Sequence, residues 1–92
     1  MIVRIMGQGQ YNVDAELMQK LNVIDNRIVA HVSRGDEKAL RKDLALLISV
    51  IKQRGQPLDK TSILSSEVIV PPEDLTLKEA TKIFSGQGLI RD

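Results

Sequence analysis

Few side chains in this sequence are suited to acid–base or metal chemistry. There is one histidine, His31, and no cysteine, so a metal site would need an all-carboxylate cage. Three nearby carboxylates are better explained as a helix N-cap (Asp36), a helix-dipole partner (Glu37) and part of a solvated helix face (Asp43). A lone histidine beside an apolar helical stripe is more often packed or half-exposed than catalytic. The residues therefore predict no catalytic site, no metal site and no cofactor, and an enzyme is the weakest functional class.

The glycine-rich stretch GQGQ, at residues 7–10, has two interpretations. Phosphate-binding loops also place glycines between a strand and a helix. Here GxGxxG is absent because position 12 is Asn, a short strand separates the glycines from the helix, and no Walker lysine follows. We therefore predict a tight hairpin turn in which Gly7 and Gly9 supply positive φ angles.

The charge balance argues against functions that depend on a strong electric field. The 92 residues include 13 basic and 12 acidic side chains, and a formal net charge of +1 gives no long-range attraction for DNA or an anionic bilayer. Acidic neighbours dilute the basic residues around the predicted helix turn, which is typical of a solvated surface. These basic residues are Arg34, Lys38, Arg41 and Lys42.

The sequence also indicates a compartment. The absence of cysteine fits a reducing interior, so we expect a cytoplasmic protein. The N-terminal residues lack the apolar run of a signal peptide. The longest apolar stretch, residues 44–51, is interrupted by Ser49 and is far shorter than the ~20 residues that span a bilayer. Any membrane contact is therefore expected to be peripheral.

The first 54 residues predict a β-hairpin followed by a helical hairpin. Residues 2–6 and 10–13 have the β-branched or alternating pattern of short strands, with Asp14 placed as a helix N-cap. Apolar residues then recur every three or four positions over residues 15–33 and 37–54, which predicts two antiparallel helices.

The C-terminal third predicts smaller elements. Residues 67–70 form a brief extended segment, stopped by a Pro-Pro pair. Thr76 and Glu79 have the spacing of a capping box for a short last helix, whose inner face is formed by Leu77, Ala80, Ile83 and Phe84. Gly86 and Gly88 end that helix, and Leu89 and Ile90 are expected to form a further small strand. The fold class is α+β with the order ββαα(β)α(β), in a single domain over residues 1–92.

Both long helices carry a second stripe beside their main apolar seam. On the second helix Ala39, Leu46 and Val50 lie about 100° from the seam, so its apolar surface is wider than one partner helix covers. On the first helix the stripe is apolar at its ends and polar in the middle. The sheet, the last helix or solvent would explain both stripes, and a partner protein is the alternative. The candidate partner-binding residues are Met18, Asn22, Asp25, Val29, Leu46 and Val50.

Four stretches of the chain resemble the PspA-associated domain family (PspAA), which is tied to the phage shock protein A system. They are MIVRIMGQGQYNVD, LNVIDNRIV, EVIVPPEDLTLKEA and GLIRD. The resemblance implies an adaptor that binds a PspA-like coiled-coil protein, which polymerises on stressed membranes and helps to preserve the envelope. Contact with the membrane would then be indirect, through this partner. The family offers no catalytic residues to transfer to this chain.

Other functional classes remain open from the sequence. A small-molecule regulatory domain would also combine a small sheet with helices. An RNA-binding module is disfavoured because Tyr11 and Phe84 are the only aromatic side chains, which gives no stacking platform. The sequence also leaves open whether the sheet edge pairs with another copy as a homo-oligomer.

Overall fold

A β-hairpin opens the chain, and two glycines shape its turn. The computed structural model describes residues 1–59, 64–84 and 88–90. Strand β1 (Ile2–Ile5) pairs antiparallel with β2 (Gly9–Asn12), so the predicted hairpin is confirmed, with its second strand starting one residue early. Gly7 and Gly9 have φ angles of 80° and 101°, a region that side chains with a Cβ rarely adopt.

Two later segments extend the hairpin into a sheet. Among the described residues the strand order is β3-β2-β1-β4, with β3 (Gln56–Pro57) antiparallel to β2 and β4 (Val68–Val70) parallel to β1. The extended segment predicted at residues 67–70 is thus confirmed as β4, whereas β3 was not predicted. A parallel pair needs a long crossover connection, and the two long helices lie within that connection here.

The helical hairpin forms as predicted. Helix α1 (Ala15–Arg34) and helix α2 (Glu37–Arg54) are separated by a two-residue turn that reverses the chain. Asp14 accepts the backbone N–H of the third residue of α1 at 2.8 Å, and Asp36 does the same for α2 at 3.1 Å. Gly35 ends α1 with a φ of 70°, the left-handed conformation common just after a helix. Each boundary therefore has a local chemical cause.

The core lies between the helical hairpin and one face of the sheet. The apolar residues whose spacing predicted the two helices are buried, except Val32, which is half-buried at the end of α1. They are Leu17, Leu21, Ile24, Ile28, Val32, Leu40, Leu44, Leu47 and Ile51. Ile48, which lies outside this repeat, is buried as well. The sheet contributes alternate residues of β1 and β4, as a half-buried strand should. The largest fully buried apolar side chains of this core include Ile5, Leu21, Ile28, Leu40, Leu44, Leu47 and Ile51.

The last helix confirms its predicted cap but not its whole inner face. In α3 (Leu77–Ile83), the Thr76 hydroxyl accepts the Glu79 backbone N–H, while the Glu79 carboxylate accepts the Thr76 backbone N–H. Ala80 and Phe84, one turn apart, are buried. Ile83 is 43% exposed, so its predicted place on the inner face is wrong. The predicted stop at residue 86 lies outside the described residues.

The segment around Leu89 and Ile90 is a bend, so the predicted final strand is wrong. The backbone N–H groups of both residues point at a side chain of α1 instead of pairing with a strand. Their own side chains are half-buried against the core. In the part of the chain that the structure describes, no helix combines the length and the apolar character needed to cross a bilayer.

Candidate protein-binding surface

A network of charged side chains joins the two long helices near their turn. Arg27 of α1 donates to both carboxylate oxygens of Asp43 on α2, at 3.2 Å from Nε and 2.9 Å from Nη2. His31, one turn after Arg27, places its Nε2 2.7 Å from the same carboxylate. Arg34 places its Nη2 2.8 Å from Nδ1 of His31. The sequence predicted a solvated Asp43, but its side chain is only 13% exposed.

The contacts of His31 indicate which tautomer of the imidazole fits this network. A guanidinium can only donate, so Nδ1 of His31 accepts from Arg34 and carries no proton. Nε2 therefore carries the proton and donates it to Asp43. Nε2 thus joins α1 to α2, while Nδ1 is engaged by Arg34 of the same helix, so both ring nitrogens are hydrogen-bonded in this conformation.

Asp43 makes this network dependent on pH. Burial acts to raise the pKa of its carboxyl, but the hydrogen bonds from Arg27 and His31 and the positive charge of Arg27 outweigh burial, so the pKa is lowered. A carboxyl with a lowered pKa in the folded state stabilises the fold above its ordinary pKa of about 3.9. That contribution disappears as the pH falls through the lowered value.

We expect Asp43→Asn to lower the free energy of unfolding by about 1–2 kcal/mol at pH 7, because a neutral amide replaces a charged acceptor. Urea unfolding of both proteins from pH 7 to below pH 4 checks this. The difference in free energy of unfolding between wild type and Asp43→Asn should become smaller as the wild-type carboxyl is protonated. A gap that stays constant or widens on acidification would contradict the assigned role of Asp43.

Asp25 of α1 anchors the C-terminal segment. Its side chain is 0% exposed and accepts the backbone N–H groups of Leu89 and Ile90 at 3.0 and 2.9 Å. Gly88 has a φ of 76°, and a Cβ at that position would lie 2.6 Å from Oδ2 of Asp25. Asp25 was predicted to contact a partner protein; it is fully enclosed, so we assign it a structural role and leave it out of the surface described below.

The rest of the predicted stripe on α1 is also partly covered. Met18, Asn22 and Val29 lie on the same flank of the helix as Asp25 and are half-buried. Met18 and Val29 pack against the core. Only part of each of these three side chains is therefore exposed.

The predicted stripe on α2 is more accessible. Leu46 is 41% exposed, while Val50, one turn later, is half-buried. On α1, Val23 is 58% exposed and belongs to neither predicted stripe. Its neighbours one turn away, Lys20 and Arg27, are charged. The only feature of the sequence that could have indicated Val23 as a surface residue was therefore an apolar side chain within a polar helix face.

Helical geometry places Val23 and Leu46 at the same level of the helical hairpin. The ion pair of Arg27 with Asp43 fixes the level at which the two helices meet. Val23 lies about one turn before Arg27 on α1, and Leu46 about one turn after Asp43 on α2. Because the helices are antiparallel, both displacements run in the same direction. We call the surface formed by Val23, Leu46 and Val50 the hairpin outer face.

A shallow depression runs along β4, the edge strand of the sheet as far as the structure describes it. It has a volume of about 530 Å³ and is lined by polar and apolar groups in similar measure. Within the described residues, no group of three or more histidine or carboxylate side chains is arranged to hold a metal ion. The residues lining the depression are Met1, Ser66, Glu67, Val68, Ile69, Gly88, Leu89 and Ile90.

The fold and these surfaces define a small α+β domain in which two long helices lie over a four-stranded mixed sheet, counting the described residues. The chain belongs to the PspA-associated protein family (PspAA), whose sequence model matches residues 1–92, the whole chain. The family name indicates association with PspA. No curated protein and no solved structure matches the chain.

Proposed function

We propose that this protein is a non-catalytic adaptor, which binds a PspA-like membrane-stress protein and modulates its action in the envelope stress response. Membership of the PspA-associated family carries the proposal. The hairpin outer face supports it, because two long helices with exposed apolar side chains between them can receive a further helix.

The expected partner suits such a surface. The family resemblance implies that PspA-like proteins are long, coiled-coil helices. A helix docks on a helical pair through residues spaced three and four apart, and Leu46 and Val50 have this spacing. We place the adaptor in the cytoplasm, where it reaches the membrane only through its partner.

The charged network supports a non-catalytic role. His31 is the only histidine of the chain, and both of its ring nitrogens are hydrogen-bonded. General acid–base catalysis needs a group that can exchange a proton with the substrate. Asp43 is likewise occupied, by Arg27 and His31.

Co-expression with the PspA-like protein of the same organism tests the proposal. The two proteins should co-elute from a size-exclusion column at physiological salt. The matched control is co-expression with an unrelated coiled-coil protein of similar length, which should elute separately. Separate elution of the adaptor and the PspA-like protein, with both folded by circular dichroism, would contradict the proposed function.

A small-molecule regulatory domain is the second candidate, and the depression along β4 favours it. Its volume of about 530 Å³ falls within the range of small-ligand sites. A ligand that binds only the folded state raises the melting temperature, by an amount set by its concentration relative to its Kd. A metabolite screen by thermal shift would support this candidate if a compound stabilises the wild type and not a variant with Ile69→Asp.

A further inference from the structure

We propose that the hairpin outer face binds an amphipathic helix whose apolar stripe is flanked by acidic side chains. This inference rests on the proposed function and specifies the chemistry of the partner segment. The evidence for this partner chemistry is the distribution of charged side chains around Val23 and Leu46.

The charge on this side of the helical hairpin is unbalanced. Helical spacing from Val23 and from Leu46 identifies the charged residues that share their faces, in two helices that are described in full. Two are acidic, Glu16 and Asp43, and Asp43 is already paired with Arg27. Six are basic: Lys20, Arg27, Arg34, Lys38, Lys42 and Arg54.

This excess contrasts with the whole chain, whose formal net charge is only +1. Lys20 and Lys42 are exposed and lie within about one turn of Val23 and Leu46, respectively. A docked helix would bring its flanking side chains close to these ammonium groups. Acidic flanks would gain attraction there, whereas basic flanks would be repelled, so the charge pattern selects the partner more strongly than the apolar contact does.

The dimensions fit a helix of several turns. Helix α2 has 18 residues and is therefore about 27 Å long. The groove between two such helices accepts a third helix along most of that length, with Leu46 and Val23 near its middle.

An anionic membrane surface is the alternative ligand for the hairpin outer face. Interfacial binding depends on large apolar and aromatic side chains that enter the lipid. The exposed apolar side chains of this face are one valine, Val23, and one leucine, Leu46. The two aromatic residues lie elsewhere, since Phe84 is buried and Tyr11 packs against the core. The observations therefore favour a protein helix.

Two synthetic peptides test the inference directly. Both carry the same leucine stripe over about five helical turns, flanked by glutamate in one and by lysine in the other. Titrated into the full-length protein, the glutamate peptide should bind at least about tenfold more tightly. Raising the salt from about 0.05 M to about 0.5 M should weaken this binding, because exposed charges are screened. Equal affinity, or tighter binding of the lysine peptide, would overturn the inference.

Charge reversal tests the same face with the PspA-like protein. The double variant Lys20→Glu, Lys42→Glu should lose co-elution. The control Lys78→Glu, Lys82→Glu makes the same change in net charge at exposed positions of α3 and should retain it. If neither variant affects a complex that the wild type forms, the inference falls and the proposed function stands. If the wild type forms no complex, the proposed function falls.

Sedimentation with phosphatidylglycerol vesicles tests whether the hairpin outer face binds a lipid surface instead of a protein helix. The wild type should stay in solution in the absence of its partner. Vesicle binding that Lys20→Glu, Lys42→Glu abolishes and Lys78→Glu, Lys82→Glu does not would overturn the inference and assign the face to a lipid surface.

Discussion

Asp25→Ala is expected to lower the free energy of unfolding by about 2–4 kcal/mol, which for a domain of this size lowers the melting temperature by about 10 °C or more. The carboxylate is fully buried and accepts the backbone N–H groups of Leu89 and Ile90. Alanine leaves both donors without this acceptor, and the loss of a charged acceptor costs more than that of a neutral one. Urea denaturation, with circular dichroism as the probe, measures the difference.

Two further variants make this prediction specific. Asp25→Asn keeps one acceptor oxygen and should cost less than Asp25→Ala. Gly88→Ala should also destabilise, because its Cβ would meet Asp25 and its φ is positive. In the Asp25→Ala background the Cβ contact is gone, so Gly88→Ala should cost less there than in the wild type. Additive effects, or an unchanged stability for Asp25→Ala, would contradict the anchor.

Leu44→Ala is expected to cost about 2–5 kcal/mol, whereas Leu46→Ala should cost less than about 1 kcal/mol. The two leucines are two residues apart on the same helix, but Leu44 is fully buried and Leu46 is 41% exposed. Truncating the first leaves a cavity between the helical hairpin and the sheet. Truncating the second removes side-chain atoms that are largely in solvent already.

This pair of variants separates folding from binding. Equal losses of stability would mean that Leu46 belongs to the core and would remove it from the hairpin outer face. If Leu46→Ala leaves the fold intact, its effect on a partner can be read without a folding defect. Both variants replace leucine by alanine within the same helix, so the change in helix propensity is the same at the two positions and cannot account for a difference in stability.

The helices and the hairpin were predictable because their causes are local. Asp14 and Asp36 precede apolar repeats and cap the helices that follow. Gly7 and Gly9 supply positive φ angles between two β-forming runs. Thr76 stands three residues before a glutamate and forms the expected capping box.

Features that depend on distant pairing were not predictable. The side chain of Asp25 meets a backbone amide 64 residues later in the chain, and no local pattern encodes that contact. β3 is too short to show a periodic pattern, and the parallel pairing of β4 with β1 is set by the long connection between them. The pairing of Asp43 with Arg27 and His31 depends on how the antiparallel helices align.

The residues proposed for the hairpin outer face overlap in part with those predicted from the sequence. Leu46 and Val50 were predicted from the stripe on α2, and the structure leaves Leu46 exposed. Val23 was missed because it interrupts a polar face instead of extending an apolar stripe. Asp25 was predicted to bind a partner, with a solvated flank as the alternative, whereas the structure buries it as the acceptor for Leu89 and Ile90. A contact with residues so distant in the sequence leaves no local pattern.

Calorimetric titration of the PspA-like protein into three forms of the adaptor tests the central claim most directly. The forms are the wild type, Leu46→Asp and Ile83→Asp. The two variants place the same charge at helical positions of nearly equal exposure, 41% and 43%, and only the first lies on the hairpin outer face. We predict that Leu46→Asp weakens binding at least about tenfold, a loss of about 1.4 kcal/mol, while Ile83→Asp binds like the wild type. Equal affinity for all three forms, with each folded by circular dichroism, would contradict the claim that this face holds the partner.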